Sequence, residues 1–454
     1  MIKQILKKVN ISDGMKNVAK ISTGTMAGQA LSFLTLPIYT RIYGAEVIGN
    51  WALFTSIATI INSFSDAGLS NAIMIEKTEE DTLRVYKVIS TIVFIVSILT
   101  GIGSYVFYSI RPEESGISTL FIALTLFILI ITSQQSQICY TWLNRKGQYN
   151  ILMKNPMLNQ IVMAIIAIPL GLCGVVKYGY YVGLICGQFG MILHMKRFMP
   201  HEMLTLKIED YKHVFRTRKA FWRYQLPTNL ITNIKNQLPT LLIKALFGSR
   251  MLGYYSVSVR ILNIPINLLA SAIGRVYFQS ASEKHRNGEE IGDYTYRNLV
   301  KAMKISLIPI IGMMGIGDVA LTIFLGADYE IAGQMFRIVV LQNFFIFLMM
   351  ASQGITVILE KQKYAMFSCI AQSIGYLVAL AMGKYVFDSI YMGLALMSAA
   401  YIIIQLIYFC KLFQIMKISA MKYLKSVVCS IGIILISTAI IRALLILLGI
   451  TDSI

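Results

Sequence analysis

The chain has 454 residues, of which 56% are hydrophobic and only 14% charged, and its net charge is +19; its mean hydropathy is +0.66. A soluble domain carries about 25% charged residues, so this composition excludes a soluble globular protein. The charge does not indicate a nucleic-acid binder, because no soluble stretch is long enough for a folded basic domain.

Apolar runs of about 20 residues recur along the whole length, which is the pattern of membrane-spanning helices. Continuous runs without strand alternation select helices over a barrel. The expected class is an all-α polytopic membrane protein. The N-terminal Met1-Ile2-Lys3-Gln4-Ile5-Leu6-Lys7-Lys8 is basic, with no apolar core and cleavage site after it, and reads as an interfacial helix. The first span, about Val18 to Ile42, is unusually polar, with Lys20, Gln29 and several hydroxyls. The second, about Ile48 to Met74, carries Asn62, Asp66 and Asn71. Span three covers about Val88 to Ile110, ahead of a loop with Glu113 and Glu114. Spans four and five follow at about Thr119 to Leu143 and Ile151 to Val176. Span six, about Tyr178 to Met195, holds Gly179, Gly183 and Gly187 at a spacing that lets helix backbones approach.

A basic segment from Lys196 to Arg223 separates the halves. The stretch Tyr224 to Ser280 then reads as two spans joined by Phe247 to Tyr255, with Pro227, Pro239 and Pro265 interrupting the helices. Spans nine to twelve are expected at about Met303 to Leu325, Ala332 to Leu359, Tyr364 to Phe387 and Tyr391 to Phe413. A last run, Val427 to Ile450, gives a thirteenth helix. The expected organisation is an N-terminal six-helix bundle over 1–200, a linker over 201–223, a C-terminal bundle over 224–414 and an extra helix in 415–454.

Six cysteines and four histidines form no CxxC or metal-ligand spacing, so neither a metal nor a disulfide framework is expected. Of 41 lysines and arginines, 30 fall on the side that holds the N-terminus and five on the other. The positive-inside rule then makes the N-terminus cytoplasmic. Gly44-Ala45-Glu46-Val47-Ile48-Gly49-Asn50-Trp51 recurs as Gly248-Ser249-Arg250-Met251-Leu252-Gly253-Tyr254-Tyr255 at the corresponding place in the second half. Six spans per repeat give two halves of one orientation. Trp51, Trp142, Trp222, Tyr254 and Tyr255 fall near predicted membrane interfaces and read as an aromatic belt.

Taken together, Leu36-Pro37-Ile38-Tyr39-Thr40-Arg41, the Gly44 to Trp51 motif, Asp66-Ala67-Gly68-Leu69, Tyr224-Gln225-Leu226-Pro227 and the Gly248 to Tyr255 motif resemble the Wzx-type oligosaccharide flippases of the multidrug/oligosaccharidyl-lipid/polysaccharide exporter superfamily. Ala327-Asp328-Tyr329 is a softer match. The resemblance implies two six-helix bundles in a V around a central cavity, and alternating access that moves an undecaprenyl-diphosphate-linked glycan to the outer leaflet of the bacterial cytoplasmic membrane. It also implies a role in O-antigen or capsule biosynthesis, with membrane lipids and the polysaccharide polymerase and chain-length machinery as partners, and no cofactor. Many relatives carry an acid near the middle of span seven, where this chain has Lys235-Asn236-Gln237.

A charged, hydroxylated cargo crossing about 30 Å of hydrocarbon needs replacement partners for its hydration. Cations can neutralise a diphosphate, and amides can exchange hydrogen bonds with sugars. Lys235 and Arg260 are the candidate phosphate contacts, with a structural ion pair as the competing reading. Arg275 is an entry contact or a snorkelling side chain. Gln29, Asn62, Asn233, Asn236 and Gln237 are candidate sugar contacts or interhelical hydrogen bonds. Asp66 is read as pairing with a cavity cation, with binding of a coupling cation as the alternative. Lys244, Arg337 and Arg442 read as snorkelling or structural. The chain has no HExxH, GxSxG or GxxxxGK[ST] motif, so it is read as a non-enzyme. A cation-coupled drug antiporter of the same superfamily and a membrane glycan polymerase or glycosyltransferase are the alternatives.

Overall fold

The computed structural model describes residues 13–111, 116–219 and 221–449. The expected interfacial segment over Met1 to Lys8 and the loop with Glu113 and Glu114 lie outside the described residues. The described residues form helices and turns, with no strand among them. In chain order the main helices are α1 (Asp13–Ser65), α2 (Glu79–Ile110), α3 (Thr119–Arg145), α4 (Tyr149–Leu172), α5 (Val176–Lys196) and the short α6 (Ile208–Thr217). They continue with α7 (Leu226–Pro265), α8 (Ser271–Arg286), α9 (Gly292–Leu325), α10 (Glu330–Ala351), α11 (Gln362–Tyr385), α12 (Ile390–Ile415) and α13 (Ala420–Leu447).

Among the described residues, ten helical stretches are long and apolar enough to cross a membrane. Two of them, Ile21–Ser65 and Phe221–Arg286, have 45 and 66 residues. At 1.5 Å per residue even the shorter is about 68 Å long, twice what a single crossing needs. Each therefore holds helix for two of the expected spans. The glycines, tyrosines and terminal lysines of α5 keep it outside these ten.

Both long stretches break at one glycine. Gly44 has φ 72° and ψ 172°; Gly248 has φ 85° and ψ 175°. That region is open essentially to glycine alone. The loops expected over 44–51 and 247–255 are thus single-residue breaks, with helix resuming at the next residue. The prolines do less than expected. Pro239 lies within the continuous α7, Pro227 sits in its first turn, where proline is tolerated, and only Pro265 is followed by a π-helical turn, Ile266–Ala270.

The chain forms two compact units. One comprises the residues before Gly44 together with Phe54–Ile234, and the other Gly44–Leu53 together with the residues from Lys235 onward. Ten residues of the first half, Gly44–Leu53, thus belong to the second unit.

In the first unit α4 packs along α5. A Cβ at Gly183 would lie 2.5 Å from Ala167 Cβ, and one at Gly187 2.5 Å from Asn159 Oδ1, so the spaced glycines serve helix packing. Leu69, Tyr86, Ile89, Ile138 and Trp142 form a buried core, in which the Tyr86 and Trp142 rings lie 5.4 Å apart. Trp51, Tyr254 and Tyr255 are buried as well. Only Trp222 of the expected aromatic belt is exposed; the others serve as core side chains.

In the second unit the repeated motif meets itself. A Cβ at Gly49 would lie 1.9 Å from Ser249 O, and one at Gly253 1.8 Å from Ala45 O. Ala45 pairs with Ser249 and Gly49 with Gly253 in the repeat, so the crossing is two-fold in character. It uses the small-xxx-small pattern that brings backbones into contact. Tyr254 packs edge-on against Tyr329, 5.4 Å away, and Ser258 Oγ donates to Ala332 O at 2.7 Å. The α13 helix packs on α9. There Arg442, 1% exposed, donates to Asp318 Oδ1 at 2.9 Å and to Gly315 O at 3.3 Å. Arg337 holds the other oxygen of Asp318 at 3.3 Å. Arg337 and Arg442 are structural, as one of their two readings had it.

Gly49→Val should open the crossing and cost about 1–3 kcal/mol, as overpacking generally does. Gly103→Ala, which meets nothing within 4 Å, should remain near wild type; chemical unfolding in micelles compares the two. Asp318→Leu leaves two arginines without their counter-charge and should cost about 3 kcal/mol or more. Arg442→Met leaves the Arg337–Asp318 pair intact and should cost less by the same measurement.

Candidate functional site

The candidate residues divide between the two units. In the first, Asn62 Nδ2 donates to Ser133 Oγ at 2.7 Å, joining α1 to α3. Asn233 Nδ2 donates to Ser63 Oγ at 2.8 Å, joining the start of α7 to α1. Both amides are therefore interhelical ties. Gln29 differs: its Oε1 is buried without a hydrogen-bond partner among the described residues.

Asp66 is not inside a span. Helix α1 ends at Ser65, and a turn and the 3-10 helix Ser70–Met74 follow. The Asp66 carboxylate accepts from Gly68 N at 2.8 Å and Ser70 N at 3.2 Å, so among the described residues its partners are backbone N–H groups and not a cation. A Cβ at Gly68 would lie 3.1 Å from Leu226 N. The motifs Asp66 to Leu69 and Tyr224 to Pro227, far apart in sequence, are neighbours in this unit.

The basic segment after α5 is tied down rather than free. Arg218 grips Glu76 through Nε–Oε1 at 2.5 Å and Nη2–Oε2 at 2.6 Å. Arg84 Nε reaches Asp210 Oδ1 at 3.0 Å, and His213 Nε2 lies 3.5 Å from Asp81 Oδ1. Lys87 pairs with Glu202. The bond to Glu76 holds the Arg218 guanidinium above its usual range, and the bond from Lys87 holds the Glu202 carboxyl below its own. The basic side of this clamp carries no sign in the sequence, since charges in a basic linker are what the positive-inside rule alone produces. The one signal was Glu76 itself, an acid at the end of an apolar run.

In the second unit Lys235 lies on α7, partly buried, beside the exposed Asn236 and the partly buried Gln237. No hydrogen bond or ion pair reaches the Lys235 ammonium among the described residues. Arg260 lies on the same helix beyond Gly248 and is partly buried, and Arg275 is exposed on α8. Lys244 donates to Ser249 Oγ. Asp318, a partly buried acid of this unit, is taken by Arg337 and Arg442, and no carboxylate pairs with Lys235 among the described residues.

Residues 38–333 match the family model described as polysaccharide biosynthesis protein. The chain belongs to that family. It is 21% identical over 315 residues to the succinoglycan biosynthesis transport protein ExoT of Rhizobium meliloti (strain 1021), a match that takes in 68% of this chain. The chain spans 61% of the length of that relative. Its fold is similar to that of the lipid II flippase MurJ in an inward closed conformation, with a TM-score of 0.67 at 13% identity, covering 95% of this chain and 100% of MurJ. An inward-facing multidrug resistance MATE family transporter of the MOP superfamily gives 0.56 at 12% identity, over 87% of this chain and 95% of that one. The expected all-α class and the likeness to the polysaccharide flippases of this superfamily both stand.

Asn233→Ala should remove one interhelical bond, worth about 0.6 kcal/mol in membrane bundles. Lys235→Gln removes none and should leave stability unchanged or raised. Unfolding of the two variants in micelles is the check, and equal losses would mean that Lys235 has a structural partner.

Proposed function

We propose that this member of the polysaccharide biosynthesis family is a flippase for a lipid-linked oligosaccharide, with an undecaprenyl-diphosphate-type carrier and alternating access as its mode of transport. The observation that carries the reading is Lys235: a cation on a membrane-length helix, with no carboxylate and no hydrogen bond among the described residues. An ionisable group at such depth is costly and faces a wet interior or a ligand. A diphosphate supplies the missing anion. Asn236 and Gln237 next to it, and the unpartnered Gln29 Oε1, suit sugar hydroxyls. Arg260 is the second phosphate contact in this reading, and Arg275 the contact met on entry.

The relatives support the same direction: one is a succinoglycan biosynthesis transport protein and a structural neighbour is a lipid II flippase. The reading includes insertion in the bacterial cytoplasmic membrane with the N-terminus inside, and a supply of repeat units to an O-antigen or capsule polymerase. Asn62 and Asn233 drop out of the proposed contact set, because their amides hold helices together. Asp66 drops out as well.

Purified protein in vesicles with a polyprenyl-diphosphate oligosaccharide should equalise the glycan between leaflets, as measured by a membrane-impermeant glycosidase. Lys235→Gln should slow this roughly tenfold or more, the value of one charge-assisted contact, and Lys235→Arg should recover part of the rate. Unchanged leaflet distribution with wild-type protein would overturn the reading, as would full activity of Lys235→Gln.

A further inference from the structure

The second unit holds a cavity of about 840 Å³ between α8 and α9. Its α8 wall is apolar at Ala272, Ile273 and Val276 and ends in Lys284, and its α9 wall carries Arg297 and Lys301. Three carboxylates also line it, but two are engaged: Glu289 pairs with Lys284 at 2.5 Å, and Glu290 lies 3.6 Å from Lys417. Asp293 remains against two cations. Arg297 reaches only a backbone oxygen, Asp293 O at 3.4 Å, and neither Arg297 nor Lys301 forms an ion pair among the described residues.

The position matters as much as the charge. Arg297, Lys301 and Lys304 follow one another along an exposed face of α9. One turn on, the same face becomes apolar at Ile308, which is 82% exposed. Val276 on the opposite wall is 65% exposed. An exposed apolar helix face that changes to unpaired cations marks the level where hydrocarbon meets headgroups. Basic recesses between membrane helices at that level suit phosphate headgroups.

We propose that the cleft between α8 and α9 binds the phosphate of a membrane lipid, with Arg297 and Lys301 as its ligands and Ile273 and Val276 against its first methylenes. The phosphate belongs to an anionic phospholipid or to an isoprenoid diphosphate; the chemistry of recognition is the same. The site is separate from Lys235 and does not depend on the transport reading.

The full-length protein, purified and delipidated, would be titrated with phosphatidylglycerol, phosphatidylcholine or a polyprenyl diphosphate, and bound lipid counted by native mass spectrometry. Arg297→Gln/Lys301→Gln should bind the anionic lipid roughly thirty-fold more weakly than wild type, two cations at about 1 kcal/mol each. The control Lys422→Gln/Lys425→Gln, two exposed lysines elsewhere, should bind as wild type. Retention of phosphatidylglycerol identifies a phospholipid site, and retention of the polyprenyl diphosphate alone identifies an isoprenoid site. Equal binding of phosphatidylcholine overturns the proposal, as does an equal loss in the control.

Discussion

At Gly49 and Gly253 two helices touch through their backbones, and a methyl group at either position would fall within 2 Å of a carbonyl oxygen. The contact depends on where the chain turns. Gly44 and Gly248 adopt nearly the same glycine-only conformation, each five residues before the contact glycine of its own repeat. The repeated spacing of two glycines therefore encodes two different things: the first frees the backbone, the second removes a side chain. Segment Gly44–Leu53 is held with the second unit as a result, although the chain on both sides of it belongs to the first. Neither unit is one uninterrupted length of chain.

The polar groups of the apolar helices sort by whether the fold uses them. Asn62 with Ser133, Asn233 with Ser63, and Asp318 with Arg337 and Arg442 each satisfy one helix with another. Such ties are individually weak in a bundle, but each commits a polar group to holding helices together. Lys235 is the contrasting case, a charge that the fold tolerates without using. The division among these polar residues is thus sharper than residue types suggest. Two amides that look suited to sugars, Asn62 and Asn233, are tied to other helices, and a lysine that looks expensive is available.

Much of the fold was legible in the chain. Membrane class, helix positions, the internal repeat and the close-packed glycines of α5 follow from hydropathy and spacing, because those are properties of one helix at a time. What was not legible depends on which helix lies opposite. Trp142 reads as an interface anchor until Tyr86 is seen beside it, and Asp318 is ambiguous until Arg442 arrives from 124 residues later. Asp66 was misplaced for a different reason: an apolar run continues past the end of the helix, into a turn and a 3-10 segment that hydropathy cannot distinguish from a span. Of the two readings open for Asn62 and Asn233, the structure selects the interhelical one, and the deciding hydroxyls of Ser133 and Ser63 come from other helices.

The Asp318 cluster also bears on how the protein is made. Arg337 follows Asp318 by 19 residues, whereas Arg442 follows by 124. At roughly 5–20 residues per second the ribosome delivers Arg442 about 6–25 s after Asp318. During that interval Arg337 is the counter-ion at hand, so the acid need not wait in the bilayer uncompensated. The last helix has a mean hydropathy of 2.4 in its apolar window, enough to enter the membrane with an arginine that costs about 2.5–3.5 kcal/mol to insert. Docking of Arg442 onto Asp318 then comes as a late assembly step, after Arg337 has already given the acid a counter-charge.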